Sequence, residues 1–209
     1  MWHTIAKSIR GPSHVYRGTP CQDQHGTTIL GNSPNDTLVT CVADGAGSAE
    51  YSEEGAQIAC DAVLQGAAKH FESECHFDHL GVDHLIHWCE TARQQIGELA
   101  NQRDCPLRQF ATTLCVAILS PRHAFFFQIG DGAIVLGTRD TYGVVFWPQS
   151  GEYANSTNFL TADNFRERLE FCVADRNFTE VALFTDGLER VALQFHSQTP
   201  HPPLLPTAV

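Results

Sequence analysis

Three short apolar runs, each ending with an aspartate beside a glycine, constrain the fold of this chain more than any other feature. The runs occupy residues 40–47 (TCVADGAG), 125–132 (FFFQIGDG) and 181–187 (VALFTDG). A short apolar run bounded by glycine predicts a buried strand, and Asp-Gly at its end predicts a tight turn. We therefore expect three strands that deliver the carboxylates of Asp44, Asp131 and Asp186 to turns.

Carboxylates brought together from distant parts of a chain repel one another unless a cation lies between them. Mg²⁺ and Mn²⁺ prefer such oxygen ligands, and the glycine beside each aspartate lets the backbone come close to an ion. The three motifs therefore predict a site for one of these cations. Aspartate is also common in ordinary turns, so the alternative is that each aspartate only shapes its own turn.

The bulk composition narrows the class of protein. The chain has 209 residues, enough to bury the core of one domain, and its formal net charge of -11 argues against a nucleic-acid partner. No apolar run approaches the roughly 18 residues of a membrane helix. The first residues also lack the apolar core of a signal peptide. We therefore expect a cytoplasmic protein with no membrane partner.

The cysteine pattern points to reduced thiols rather than disulfides. There are eight cysteines, and no Cys-x-x-Cys pair occurs. Cys41, Cys60 and Cys115 lie inside apolar runs, where a free thiol behaves as a small apolar side chain. We expect them in the core of a protein from a reducing compartment.

Hydrophobic spacing predicts the order of the secondary-structure elements. Helices are expected over about 52–67 and 80–101, with a turn and short helix over 187–192. The predicted strands are 38–43, 112–119, 124–129, 133–137, 144–147 and 181–184. Segment 12–31 holds polar and turn residues with short apolar pieces, and segment 148–164 is turn-rich and polar. Segment 165–171 is ambiguous, and the proline-rich tail 197–209 is expected to be irregular. Two helices followed by hairpin-connected strands predict an α+β fold of antiparallel sheets covered by helices.

Several motifs in this order resemble the metal-dependent protein phosphatases of the type-2C family, in its compact bacterial branch. They span roughly residues 10–195 and comprise 20–23 (PCQD), 42–47 (VADGAG), 110–114 (FATTL), 128–132 (QIGDG), 151–157 (GEYANST) and 183–188 (LFTDGL). The resemblance implies two packed antiparallel β-sheets flanked by helices, a four-layer α-β-β-α sandwich. It also implies that residues 1–209 form a single phosphatase domain.

The resemblance implies a serine/threonine phosphoprotein phosphatase that requires Mn²⁺ or Mg²⁺. Its substrate would be a phosphorylated protein, so that it opposes a serine/threonine kinase. Asp44 would bridge two metal ions, with the Gly45 carbonyl on one ion and Asp186 on the other. Asp131 would lie near a weaker third position. A metal-activated water would hydrolyse the phosphomonoester.

The same resemblance assigns supporting roles around the metals. Gln22 and Asp23 would act through metal-bound water. His14 and His25 flank this early motif, and either could protonate the leaving group. Arg17 or His14 would hold the substrate phosphate. The polar side chains of the segment resembling the bacterial branch, Glu152, Asn155 and Thr157, are expected to form a structured loop.

Two other groups of residues have competing interpretations. A histidine-rich group, made up of His76, Asp78, His79, Asp83, His84 and His87, has spacings that suit a transition metal, but a solvated surface would look the same and is favoured. Cys21 lies beside the early motif. No general base is evident for it, and no Cys-x₅-Arg loop is present, so a cysteine nucleophile is not expected.

One expected element is absent from the sequence. Family members carry a further metal-binding aspartate beyond the segment matched by residues 183–188, whereas no aspartate follows Asp186 here. We expect a C-terminally incomplete domain that lacks the last strand and binds at most one metal firmly. The alternative is a non-catalytic member of the fold that binds a phosphoprotein or another partner.

Overall fold

A five-stranded antiparallel sheet forms the framework of the computed structural model, which describes residues 2–31, 36–73, 77–138, 141–149 and 157–201. The strands along the chain are β1 (Asp23–Leu30), β2 (Thr37–Asp44), β3 (Leu114–Leu119), β4 (His123–Ile129), β5 (Ala133–Gly137), β6 (Tyr142–Val144), β7 (Glu170–Asp175), β8 (Glu180–Phe184), β9 (Leu193–Gln194) and β10 (Thr199–Pro200). The larger sheet has the order β1-β2-β3-β4-β7, and a smaller sheet has the order β6-β5-β8.

Two long helices cover one face of the larger sheet. The helices are α1 (Pro12–Arg17), α2 (Ser52–Glu72), α3 (Val82–Gln102), α4 (Phe165–Arg168) and α5 (Glu189–Ala192). Helix α2 buries Ala56, Ala59, Cys60, Val63 and Ala67 at the predicted spacing. These small side chains let α2 lie close to β1 and β2, and the apolar residues of α3 complete this part of the core.

The second part of the core lies between the two sheets. Phe126 of β4 and Ile134 of β5 are fully buried there, together with Leu119 of β3. Strands of this kind are buried on both faces, which explains why they appear in the sequence as continuous apolar runs. The predicted α+β fold with two packed antiparallel sheets is therefore confirmed. On the outer face of the smaller sheet, the described residues contribute the short helix α5 and the β9–β10 ribbon.

Both long helices, five of the six predicted strands and the short helix at 187–192 are confirmed. The strand predicted at 144–147 is wrong, because β6 ends at Val144 and the next residues turn inward. Val145 and Phe146 pack between the sheets, so their apolar character reflects burial in a loop. Segment 12–31, for which the sequence predicted no particular element, contains α1 and β1.

Strand β7 explains the ambiguity at 165–171. The segment is divided between α4 and the start of β7, which lies at the edge of the larger sheet. Phe171 and Val173 of β7 are about half exposed. An edge strand with apolar residues on an open face lacks the alternation that identifies a half-buried strand.

Three further predictions concern the state of the cysteines, membrane-spanning helices and the C-terminal tail. Cys41, Cys60, Cys89 and Cys115 are free and buried, as predicted for core thiols. None of the described helices is long and apolar enough to cross a bilayer. Within the described residues, the tail contains the two-residue strand β10, which pairs with β9. That residues 1–209 form one domain remains a prediction.

Candidate metal centre

Strand register brings the first two carboxylates of the site together. Strands β1 and β2 pair antiparallel, and Asp23 lies directly opposite Asp44. Directly opposed residues of an antiparallel pair have Cβ atoms about 4.5–5.5 Å apart and point to the same face. That face is turned toward the smaller sheet, because Val42, two residues before Asp44, packs between the sheets. The two carboxylates therefore share one end of the sandwich.

The backbone of Asp44 is fixed by two threonines that precede β3. The Asp44 amide donates to Thr113 Oγ1 at 3.0 Å, and the Asp44 carbonyl accepts from Thr112 Oγ1 at 3.1 Å. The Thr113 amide also donates to the Asp44 carbonyl at 2.9 Å. Both threonines are buried. This pair is the Thr-Thr element noted in the sequence, and it holds the end of β2 in place.

The smaller sheet delivers the other two predicted carboxylates to the same end. Ala133 of β5 pairs with Phe184 of β8 in an antiparallel register, so Asp131 and Asp186 each lie two residues beyond this pair on the same side. The carboxyl group of Asp186 lies within hydrogen-bonding reach of Asp44. The structure thus brings together all three aspartates that the sequence singled out.

Crowding of these carboxylates changes their protonation. Burial, and then the negative charges of Asp23 and Asp186, raise the pKa of Asp44 from 3.8 to about 8. Burial and the charge of Asp186 also raise the pKa of Asp23, against a hydrogen bond from Thr185 and the nearby His14. With its pKa at about 8, Asp44 holds a proton near neutral pH when no cation is present.

The buried side-chain amide of Gln128 holds the turn that carries Asp131. The Gln128 side chain is fully buried, and its Nε2 donates to the carbonyls of Gly132 at 3.0 Å and Gly130 at 3.4 Å. Thr157 Oγ1 donates to Asp131 Oδ2 at 2.6 Å. Burial raises the pKa of Asp131, and the Thr157 hydrogen bond opposes this. Residues 152–156 lie outside the described part of the chain.

His14 and Gln22 form the polar wall beside Asp23. Gln22 Nε2 donates to Ser52 Oγ at 2.6 Å, at the start of α2. The other end of the amide, Gln22 Oε1, lies 3.1 Å from His14 Nε2. Because an amide oxygen only accepts, Nε2 of His14 carries the hydrogen in this contact. His14 is therefore held in one orientation next to the carboxylates.

Gly45 is required for a steric reason. Its amide donates to the Gln22 carbonyl at 3.1 Å. A Cβ at this position would lie 2.6 Å from the Ser52 carbonyl oxygen and 2.9 Å from that of Gln22. The sequence predicted that glycine at this position lets the backbone come close to an ion. In the structure, the Gly45 backbone packs closely against the backbones of Ser52 and Gln22.

The donor set fits a hard divalent cation. Carboxylate oxygens from four strands or strand ends converge, and no lysine or arginine ion pair neutralises them in the described part of the chain. Burial, together with the negative charges of neighbouring aspartates, raises the pKa values of Asp23, Asp44 and Asp131. Among the described residues, no three His, Cys, Asp or Glu side chains stand in a finished ligand arrangement. The structure therefore holds an acidic cluster that a cation would stabilise, rather than a preformed cage.

The sequence profile of protein phosphatase 2C matches residues 10–207. This chain belongs to the protein phosphatase 2C family. The family is that of metal-dependent serine/threonine protein phosphatases, and this is the activity class of the chain. A curated relative, serine/threonine-protein phosphatase 3 of Escherichia coli (strain K12), is 33% identical over 205 residues, which cover 97% of this chain and 79% of the relative.

Solved structures support the family fold. Serine/threonine phosphatase Stp1 from Staphylococcus aureus superposes with a TM-score of 0.57 at 16% identity, covering 84% of this chain and 74% of that one. PppA from Pseudomonas aeruginosa, described as a regulatory component of its T6SS, superposes with a TM-score of 0.56 at 15% identity, covering 81% of this chain and 79% of that one. At these identities the likeness extends to the fold alone.

Two of the residues that the family resemblance singled out have no direct contact with the acidic cluster among the described residues. Arg17 is exposed on α1, and no hydrogen bond or ion pair of its side chain is seen within the described ranges. His25 lies two residues after Asp23 on β1, and its Nδ1 is 2.9 Å from Ser8 Oγ. Cys21 lies near Asp23, and burial raises the pKa of its thiol, with the Asp23 charge acting in the same direction. A thiol that holds its proton is a poor nucleophile.

The histidine-rich group has a structural role at one position. His84 is half-buried, and its Nδ1 accepts the Gly81 amide at 3.2 Å at the start of α3. Its ring also packs edge-on against His70. The favoured interpretation of a solvated face is therefore wrong for His84, while His79, Asp83 and His87 are exposed. His76 and the side chain of Asp78 lie outside the described residues.

Glu189 is a fifth carboxylate that the sequence analysis missed. It begins α5, three residues after Asp186, and is half-buried. Burial, and then the charges of Asp131 and Asp186, raise its pKa. Its electrostatic contact with both aspartates indicates that it faces the acidic cluster. The signal that could have found it is the i, i+3 spacing from Asp186 into a predicted helix.

The raised pKa of Asp44 predicts how stability depends on pH in the metal-free protein. Unfolding returns the pKa from about 8 to 3.8, so the folded state holds more protons across this interval. The free energy of unfolding should therefore fall as pH rises from 4 to 8. We expect Asp44→Asn, measured by urea unfolding in EDTA, to be more stable than the unsubstituted protein at pH 8 by a few kcal/mol, and to show little advantage at pH 4.

The pH dependence of this difference is the diagnostic quantity. Unfolding curves of both proteins at pH 4, 6 and 8 supply it, with the denaturant slope checked for constancy. A stability difference that is the same at all three pH values would contradict the assignment of a high pKa to Asp44.

Proposed function

We propose that the acidic cluster is the catalytic centre and that it hydrolyses phosphoserine and phosphothreonine in proteins. The observation that carries this proposal is the convergence of Asp44 and Asp186, from two different sheets, to hydrogen-bonding distance at one end of the sandwich. Family membership supplies the reaction class. The geometry supports the choice of residues.

The cluster would hold Mn²⁺ or Mg²⁺. Asp44 would be the central ligand, because the negative charges of Asp23, Asp186 and Asp131 all act on its carboxylate and raise its pKa. Asp186 and the Gly45 carbonyl complete the first positions, and Asp131 a weaker one. When bound, such ions lower the pKa of a coordinated water and offset charge on phosphoryl oxygens. Gln22 and Asp23 would hold water molecules around the ions.

His14 is the group best placed to handle a proton or a phosphate oxygen. Its ring is anchored through Nε2 to Gln22, which leaves Nδ1 available when the ring is protonated. Its ring lies close enough to Asp23 to act electrostatically on that carboxylate. Arg17, three residues further along α1, is proposed as the second phosphate contact.

Parallel assays test the proposal. The purified chain is given a phosphoserine peptide, a phosphotyrosine peptide and p-nitrophenyl phosphate, each with Mn²⁺, with Mg²⁺ and with EDTA. The proposal predicts metal-dependent release of phosphate from the phosphoserine peptide and from p-nitrophenyl phosphate. Peptide binding without turnover in any metal would instead support the non-catalytic role.

Replacement of Cys21 distinguishes this mechanism from cysteine chemistry. We expect Cys21→Ser to retain turnover within a few-fold, since the protonated thiol takes no part in the reaction. The rate of p-nitrophenyl phosphate hydrolysis in Mn²⁺ is the measurement. A loss greater than roughly a hundredfold, about 2.7 kcal/mol, would establish a covalent role for this thiol. His14→Gln, measured alongside, should produce the larger loss.

A further inference from the structure

The N-terminal strap, residues 2–17, is the basic part of an acidic protein. All 24 aspartates and glutamates lie from Asp23 onward, whereas the strap carries Lys7, Arg10 and Arg17. The three cationic side chains are exposed, and no ion pair engages them within the described ranges. The chain has a net charge of -11, so carboxylates that could pair with these cations are abundant. Because the three cations form no such pair within the described ranges, their charges are available to a binding partner.

A series of anchors fixes the strap along strand β1. Trp2 packs at the far end of the sheets, where its Nε1 donates to the Asp36 carbonyl at 3.3 Å. Further along the strap, Ser8 Oγ lies 2.9 Å from His25 Nδ1, and Arg10 Nη1 donates to the Thr19 carbonyl at 3.4 Å. The strap ends in α1, which contacts Gln22 through His14. It therefore runs from the far end of the sheet to the catalytic centre.

The anchors place the basic side chains close to the acidic cluster. His25 lies two residues along β1 from Asp23, a distance of about 7 Å. Ser8 contacts His25, and Lys7 and Arg10 lie on either side of Ser8 in the sequence. A short extended peptide with its phosphate at the cluster could therefore reach both Lys7 and Arg10. Exposed charges influence each other over a Debye length of about 10 Å.

Apolar side chains on the strap are also left uncovered. Four of the ten large hydrophobic residues that are exposed within the described part of the chain belong to the strap, namely Ile5, Ile9, Val15 and Tyr16. Ile5 and Tyr16 are more than nine-tenths exposed. Uncovered apolar residues interleaved with unpaired charge are typical of a surface that binds another chain.

We propose that the strap docks the protein substrate and selects phosphorylation sites flanked by acidic residues. The proposal rests on the proposed function, since it places the phosphoresidue at the cluster. An acidic segment is repelled by most of this surface, and the strap is where it gains favourable contacts. Lys7 and Arg10 would pair with substrate carboxylates beside the phosphoresidue, and Ile9 and Tyr16 would cover its apolar side chains.

Matched peptides and variants test the docking role. Phosphoserine peptides with aspartates on both sides of the phosphoresidue are compared with the same peptides carrying asparagines. We expect the unsubstituted protein to favour the acidic peptide roughly three- to tenfold in kcat/KM, as two exposed ion pairs allow. Lys7→Ala/Arg10→Ala should abolish this preference, and 0.5 M NaCl should weaken it. Hydrolysis of p-nitrophenyl phosphate by this variant should be unchanged.

The control variant removes two positive charges elsewhere. Lys69→Ala/Arg122→Ala changes exposed residues of α2 and of the β3–β4 turn and should keep the preference. Persistence of the preference in Lys7→Ala/Arg10→Ala, or its absence in the unsubstituted protein alongside Mn²⁺-dependent hydrolysis of p-nitrophenyl phosphate, would overturn the docking role alone. Absence of all hydrolysis would count against the proposed function.

A binding measurement keeps docking testable without turnover. Backbone amide resonances of residues 5–17 are followed by NMR in EDTA as unphosphorylated acidic or neutral peptide is added. The proposal predicts shifts in these resonances with the acidic peptide and none with the neutral one. Equal shifts with both peptides, or shifts that depend on protein concentration alone and so indicate a second copy, would overturn it.

Discussion

Replacing Asp44 with asparagine is expected to abolish metal-dependent turnover and to remove Mn²⁺ binding at the cluster. Asp44 lies opposite Asp23 and within hydrogen-bonding reach of Asp186, so its charge is central to attracting a cation. A neutral amide cannot supply that charge. We expect a fall in kcat/KM of at least roughly a thousandfold, about 4 kcal/mol of lost transition-state stabilisation. Phosphate release and Mn²⁺ titration calorimetry are the two measurements.

The control for this variant is Asp163→Asn. The Asp163 side chain is fully exposed and lies 3.9 Å from Arg93 Nη2. The same chemical change there should leave turnover and metal binding unaltered. The metal-free Asp44→Asn protein should also remain folded, since removal of a crowded charge stabilises it. Unchanged Mn²⁺ stoichiometry and affinity in Asp44→Asn would remove the basis for the metal assignment.

Replacing Gly130 with alanine is expected to damage the site without changing any carboxylate. Gly130 has a φ of 107°, and a Cβ there would lie 2.4 Å from Thr113 Cγ2 and 2.5 Å from Thr113 Cβ. Thr113 holds the backbone of Asp44, so the clash connects the turn of Asp131 to the end of β2. We expect a loss of at least about 2 kcal/mol in the free energy of unfolding. Mn²⁺ affinity should fall as well.

Gly143→Ala provides the matched control, because nothing lies within 4 Å of a Cβ added at that position in β6. Urea unfolding and Mn²⁺ titration of both variants separate strain from a general effect of alanine. If Gly130→Ala matched Gly143→Ala in both measurements, the packing of Thr113 against the Gly130 turn would not support the site as described.

The sequence predicted the three carboxylates because their signal is local. Asp44, Asp131 and Asp186 each follow a short apolar run, and Asp-Gly marks the turn without reference to the rest of the chain. The helices were predictable for the same reason, since small and apolar residues recur at helical spacing along α2. The family resemblance then added the packing of the two sheets and the reaction class.

Long-range pairing accounts for most of what could not be predicted. The β1 sequence is polar and only half-buried, so neither the strand nor the register that sets Asp23 against Asp44 has a hydrophobic signature. Thr112 and Thr113 were visible as a motif, but their hydrogen bonds to Asp44 span nearly seventy residues of chain. Glu189 joins the cluster through the fold of β8 and α5, and the local signal for it is the i, i+3 spacing from Asp186.

The acidic cluster is proposed to bind the metal ions that the phosphatase uses. Crystals grown with Mn²⁺ and measured at a wavelength where manganese scatters anomalously would reveal where the ions bind. We expect anomalous density beside the carboxylates of Asp44 and Asp186, and its disappearance in Asp44→Asn. Density at another group of side chains, or none at the cluster under conditions in which the protein hydrolyses phosphopeptide, would contradict it.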